Sequence, residues 1–174
     1  MSQKALLVID MLNDFLDPAG SLYCGDQARE IIPQVQGLIA EHRRAGSVII
    51  FAADHHAPDD KEFEIFPKHS VAGTWGAETI PELEVRPEDI VITKTRYSAF
   101  YGTDLDKVLA AKKVEEVHLC GVCTSICVMD TASGLRNRDY PTVVHRRAVA
   151  DFDPEAHEFS LKRMKNILGV RLED

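Results

Sequence analysis

The sequence predicts an α/β fold: a three-layer, doubly wound sandwich with a mainly parallel sheet of about six strands. Three observations carry that expectation. Short apolar, β-branched runs recur along the chain, and they are continuous rather than alternating, as strands buried on both faces require. Segments with helical apolar spacing lie between them, which gives the β-α-β order of a parallel sheet. The length of 174 residues, with 45% hydrophobic and 28% charged side chains, suits one continuous core, so a single domain over residues 1–174 is expected.

Taken in order, the strands are Ala5 to Ile9, Val48 to Ala53, Ile90 to Thr93, Val117 to Cys120, Thr142 to His145 and Val170 to Leu172. Ile31, Val35, Leu38 and Ile39 fall on one helical face, and Gly46 follows as a stop. Leu105, Val108 and Leu109 repeat that spacing ahead of Val114. A further helix is expected to start around Thr124 or Ser125, both good N-cap types. Pro154 opens the last helix, along which Phe159, Met164, Ile167 and Leu168 recur until Gly169 ends it. From His55 to Leu83 runs one long irregular stretch, broken by Pro58, Pro67, Gly73, Gly76 and Pro81. Loops of that length in compact domains are often functional. This one follows a strand's carboxyl end, where open α/β sheets place ligands.

Composition narrows the class of partner. The net charge of −8 argues against a nucleic-acid backbone, which is bound through Lys and Arg, and suits a small-molecule substrate. The first apolar run, closed by Asp10, is too short for a signal-peptide core or a membrane span. A cytoplasmic protein without a membrane partner is therefore expected. The cysteines stand at 24, 120, 123 and 127, too sparse for a disulfide scaffold, and are expected to be reduced thiols.

The chemistry-bearing residues gather at strand ends. Asp10 closes the first strand, Asp54 the second and Lys94 the third, so three ionisable side chains converge on one rim of a parallel sheet. Any one alone would be an ordinary strand-end polar residue. Three together, beside the cysteine-bearing turn Leu119 to Val128, point to function. Cys127 would lie in the first turn of a helix, where free N–H groups and the dipole stabilise a thiolate. Lys94 would lower the thiol pKa further, and Asp10 could take the thiol proton. The rival readings are a buried, inert cysteine and a metal or iron–sulfur site made of Cys120, Cys123 and Cys127. The second lacks a nearby fourth ligand, and its thiols would aim in different directions. In the long loop, Asp54, His56, Glu62 and His69 could hold a divalent metal, with His55 and Glu64 as ligands that spacing leaves open.

With these motifs in place the chain resembles the nicotinamidases of the isochorismatase-like cysteine hydrolase family. The matching stretches are ALLVIDMLNDF, AADHH, FPKHSVAGTWGAE, KTRYSAFYGTDL and GVCTSICVMDTA, which together span nearly the whole chain in the family's order. The resemblance implies a catalytic triad of Asp10, Lys94 and Cys127, with metal ligands Asp54, His56, Glu62 and His69. It implies a cis peptide at Val122–Cys123 and an oxyanion hole from the amides of Cys123 and Cys127. It also implies an aromatic-ring clamp of Phe15, Phe66 and Tyr97. The metal would be zinc, with iron and manganese as alternatives, and a homo-oligomer is expected from the habit of relatives. The implied reaction takes nicotinamide and water to nicotinate and ammonia through a thioester, with pyrazinamide as a second substrate. Two departures from the pattern stand in the turn: Ser125 where many relatives have Asp, and Cys123 where many have Ala. Cys127 counts against an isochorismatase, which lacks the nucleophile. The metal ligands count against the relatives that act on carbamoyl or ureido compounds. Those amide or ureido hydrolases, and a non-catalytic binding module on the same fold, are the alternatives.

Overall fold

Alternate residues of the first strand bury into two different cores, and that division fixes the layers. In β1 (Lys4–Ile9), Leu6 and Val8 join a cluster with Val35 and Ile39 of helix α3 (Ile32–Arg44). Ala5, Leu7 and Ile9 point the other way, into a cluster with Leu109 of α4 (Leu105–Ala111), Leu135 of α5 (Met129–Arg136) and Met164 of α6 (Pro154–Asn166). Each large aliphatic side chain removed from water in this way stabilises the fold by roughly 1.5–3 kcal/mol. Both faces of the strand are therefore apolar, which is why its sequence shows no alternation. Two short helices, α1 (Asn13–Leu16) and α2 (Asp26–Arg29), lie between β1 and α3. Neither carries enough periodic positions to be legible in the sequence.

The computed structural model describes residues 2–174. With β2 (Val48–Asp54), β3 (Ile90–Lys94), β4 (Glu116–Val122), β5 (Thr142–Ala150) and β6 (Arg171–Glu173), the sheet has six strands in the order β3-β2-β1-β4-β5-β6. Every pairing is parallel. The chain winds outward to one side from β1 and to the other from β4, so the topological switch point lies between those neighbours. Ile9 pairs with Gly121 there. Gly121 has φ +115°, and a Cβ on it would lie 1.9 Å from the carbonyl oxygen of Ile9. Only glycine lets the two strand ends come so close.

Three expectations need correction. Strand β3 is an edge strand, so Val91 and Thr93 face solvent and the strand alternates instead of being buried on both faces. Strand β5 runs on to Ala150 through the exposed Arg146 and Arg147, because a bulge opposite β4 takes the register from Leu119↔Val144 to Gly121↔Val149. On α6 the buried stripe is Ser160, Leu161 and Met164, while Phe159 and Ile167 point outward. No helix among the described residues is long and apolar enough to cross a membrane.

Candidate active site

Asp10 is the first residue past β1 and takes a left-handed backbone, φ 49°. Short polar side chains tolerate that region better than branched ones. Its N–H donates to the Ala52 carbonyl at 2.9 Å, and its Oδ1 accepts the Asp54 N–H at 2.8 Å. Oδ2 is thereby turned to Lys94, whose Nζ lies 2.8 Å away. From the end of β3, Lys94 also donates to Asp54 Oδ1 at 2.5 Å and faces the Cys127 Sγ at 3.4 Å. All four side chains are buried. The strand ends thus bring Asp10, Asp54, Lys94 and Cys127 into one cluster.

Burial and the neighbouring Asp54 charge push the Asp10 carboxyl up to about 6, although Lys94 opposes them. Burial would lower Lys94, but the charges of Asp10, Cys127 and Asp54 outweigh it and hold the ammonium well above its usual range. Burial raises the Cys127 thiol well above the usual cysteine value, with Lys94 only partly offsetting it. The direction is opposite to the lowered thiol pKa that a helix start and Lys94 led one to expect. At neutral pH the thiol keeps its proton, and Asp10 is the ionised group beside it.

The turn after β4 also differs in detail from the expected helix start. Thr124–Val128 forms a π-helical turn that runs directly into α5, and Cys127 sits within it. π-turns of this kind recur at functional sites. Neither Thr124 nor Ser125 caps it with a side chain: the Thr124 hydroxyl meets His157 Nδ1 at 2.8 Å instead. The Cys123 carbonyl accepts from the N–H groups of Ile126 and Val128, and Asp151 Oδ2 accepts the Ser125 N–H at 2.7 Å. The Val122–Cys123 peptide is cis.

The loop after β2 supplies the second constellation. Nitrogen and oxygen ligand atoms of Asp54, His56 and His69 lie within 4.8 Å of one another. His69 Nε2 is 3.7 Å from Glu62 Oε1, and His56 Nε2 is 3.7 Å from Asp54 Oδ2. Each imidazole is oriented through its other nitrogen: His56 Nδ1 lies 3.1 Å from Asp60 Oδ2, and His69 Nδ1 lies 2.7 Å from the Pro67 carbonyl. Asp60 is in turn fixed by Arg96 and by the Glu62 N–H. His56 Nε2 and Glu62 Oε2 are buried without a hydrogen-bond partner. Outer hydrogen bonds with unpaired inward atoms are what a metal centre requires, so this donor set fits a divalent cation. His55 and Glu64, which spacing left open, are exposed.

Phe15, Phe66 and Tyr97 line one pocket together with Asp10, Glu62 and Cys127. Sequence reasoning missed other contributors to it. Cys24 lines the same pocket, its Sγ 3.4 Å from that of Cys123, and Phe152 lines it from beyond β5. Neither has a local sequence signal. Asp14 does have one, as an acid among the apolar residues of Met11 to Leu16. Its Oδ2 accepts the Ser70 N–H at 2.7 Å and its Oδ1 the Ser21 N–H at 3.0 Å, so it ties the ligand loop to the segment after β1.

The family model for the isochorismatase domain matches residues 4–172. The solved structure of nicotinamidase/pyrazinamidase PncA from Bacillus subtilis is 38% identical, with a TM-score of 0.94 over 99% of this chain and 100% of that one. The pyrazinamidase of Pyrococcus horikoshii in complex with zinc is 32% identical, with a TM-score of 0.92 over 98% of each chain. A probable inactive nicotinamidase of Arabidopsis thaliana is 34% identical over 96% of this chain and 90% of its own length.

Proposed function

Because the chain belongs to the isochorismatase family, we propose that it is a nicotinamidase, a cysteine amidohydrolase converting nicotinamide and water to nicotinate and ammonia. The observation that carries this reading is that Cys127, Asp10 and the loop ligands Glu62 and His69 line one pocket, with Lys94 buried against both Asp10 and Cys127. The nicotinamidase and pyrazinamidase names of its structural neighbours support it.

Phe15, Phe66 and Tyr97 wall the substrate ring. Asp54, His56, Glu62 and His69 would hold a divalent cation, for which zinc, iron and manganese all suit the mixed imidazole and carboxylate donors. When bound, such an ion supplies a ligand position for the ring nitrogen and so orients the carboxamide. Asp10 takes the Sγ proton as Cys127 attacks the carboxamide carbon. The resulting oxyanion faces the amides of Cys123 and Cys127; one such donor is commonly worth about 10²–10³ in rate. Asp10 then passes the proton to the amide nitrogen, the C–N bond breaks, and ammonia leaves a thioester on Cys127. Water enters, Asp10 takes its proton, and the new C–O bond displaces the thiol, which regains a proton. Lys94 balances the charge through both halves and keeps Asp10 ionised between them.

The relative named as probably inactive makes a non-catalytic binding module the reading to eliminate. Ammonia release from nicotinamide, pyrazinamide, benzamide and a ureido compound decides the matter. Nicotinamide and pyrazinamide are expected to turn over. Benzamide, which has the same scissile bond but no ring nitrogen, is expected to be slower by roughly 30- to 1,000-fold in kcat/KM. Turnover of the ureido compound alone would move the chain to another hydrolase of the family, and no turnover of any would leave a binding module.

A further inference from the structure

At the amino-terminal side of the sheet, away from the pocket, three histidines pack against one another between α3 and the strands. His42 comes from the last turn of α3, His118 from β4 and His145 from β5, and all three are buried. The rings of His118 and His145 stack with centroids 5.1 Å apart, and His42 stands edge-on to His118 at 4.6 Å. Ring nitrogens of all three lie within 4.8 Å of one another.

We propose that His42, His118 and His145 form a second metal site, separate from the loop ligands, that takes one divalent cation of the imidazole-seeking class to which zinc belongs. The outer hydrogen bonds carry the argument. His118 Nε2 meets Glu116 Oε1 at 3.0 Å, and Glu116 is itself held by Lys4 at 2.8 Å and Arg171 at 3.2 Å. The carboxylate draws the imidazole proton to Nε2 and leaves the lone pair on Nδ1 facing inward. His42 Nδ1 is engaged by the Ser47 hydroxyl at 3.0 Å, which leaves Nε2 to ligate. A histidine ligand oriented through its second nitrogen by a carboxylate or hydroxyl is the usual outer shell of a metal centre.

His145 completes the set. Its Nε2 lies 2.8 Å from His118 Nδ1. With the His118 proton on Nε2, that contact needs the His145 proton on its own Nε2. A cation entering between the rings replaces the contact, and the His145 proton moves to Nδ1, so the imidazoles remain neutral and lose no proton. Three imidazole donors with a fourth position for water match a common arrangement for zinc. A hydrogen-bonded imidazole pair accounts for His118 and His145 alone, whereas His42 stands edge-on against the same ring. A cation there would pin α3 to β4 and β5.

Cobalt(II) is the probe, because its visible bands report the coordination. The protein carrying His56→Ala and His69→Ala lacks the imidazoles of the loop site and leaves the triad untouched. After stripping and dialysis against cobalt(II), that chain is expected to keep one equivalent with the band intensity of a tetrahedral site. Adding His42→Leu and His145→Phe is expected to abolish that equivalent. A His56→Ala/His69→Ala chain that binds no cobalt overturns the proposal, as does cobalt retained in full after His42 and His145 are replaced as well. Should the four-substitution chain fail to fold, ¹⁵N-histidine spectra of the His56→Ala/His69→Ala chain decide. Zinc is expected to move the ring-nitrogen resonances of His42, His118 and His145, and unmoved resonances overturn the site. Neither readout uses turnover, so the outcome is independent of the nicotinamidase reading.

Discussion

Cys127 and Asp10 divide the proton between them through burial. The thiol is held protonated and the carboxyl is raised to about 6, so Asp10 is ionised at neutral pH and positioned to accept. Only that ionised form can act as base. Activity is therefore expected to be full above the Asp10 pKa and to be lost as pH falls through it, with the acid limb of kcat/KM at about pH 6 or below. A limb above pH 7 would assign the base to another group. The same residue scale separates the two cysteines of the turn. Cys127→Ala is expected to abolish ammonia release while leaving the fold intact. Cys123→Ala is expected to stay active, since the proposed role of Cys123 uses its backbone amide and its thiol lies 3.4 Å from that of Cys24. Exchanged outcomes would mean that the wrong cysteine has been assigned as nucleophile.

Elements set the geometry that these residues exploit. The single helical turn Lys61–Glu64 aims Glu62 inward and Glu64 outward, because Asp60 caps it through the Glu62 N–H at 2.9 Å. Glu62→Ala is accordingly expected to lower the bound metal of the purified protein, whereas Glu64→Ala leaves it unchanged. Equal metal content in both variants would remove Glu62 from the ligand set. Where β4 meets β1, Gly121 is the position at which a side chain cannot be accommodated. Its φ of +115° is strained for alanine, and the added Cβ would meet the Ile9 carbonyl at 1.9 Å. Gly121→Ala is expected to cost at least roughly 3 kcal/mol, since it combines backbone strain with a backbone clash at the switch point. Chemical denaturation measures it. A loss below about 1 kcal/mol would mean that β1 and β4 can separate without consequence.

The whole molecule places an ammonium where three strand ends meet. Lys94 is only 1% exposed, and its partners Asp10 and Asp54 leave two different strands. Without it, two buried carboxylates would face each other with no cation between them. Removing one member of a buried ion cluster typically costs about 3–5 kcal/mol. Lys94→Met is therefore expected to lose stability as well as activity, lowering Tm by roughly 6–20 °C for a chain of this size. Differential scanning calorimetry of metal-stripped protein reads this directly. An unchanged Tm would show that the cluster contributes to chemistry alone.

Patterns that depend on neighbours in the sequence were legible without a structure. Continuous apolar runs such as Ala5 to Ile9 announce strands covered on both faces, and the turn residues between them announce the β-α-β order. Asp10, Asp54 and Lys94 could be placed at strand ends because each directly follows or closes such a run. What depends on residues far apart was not legible. The exposure of Val91 follows from β3 being an edge strand, and the continuation of β5 past Arg146 and Arg147 follows from a bulge against β4. The protonated state of Cys127 is decided by how deeply other segments bury it, a quantity no local pattern contains. Cys24 reaches Cys123 across 99 positions, and His42 reaches His118 across the sheet-helix interface. Local propensity and periodicity determine which elements form, whereas only their packing decides dielectric environment, side-chain convergence and edge exposure.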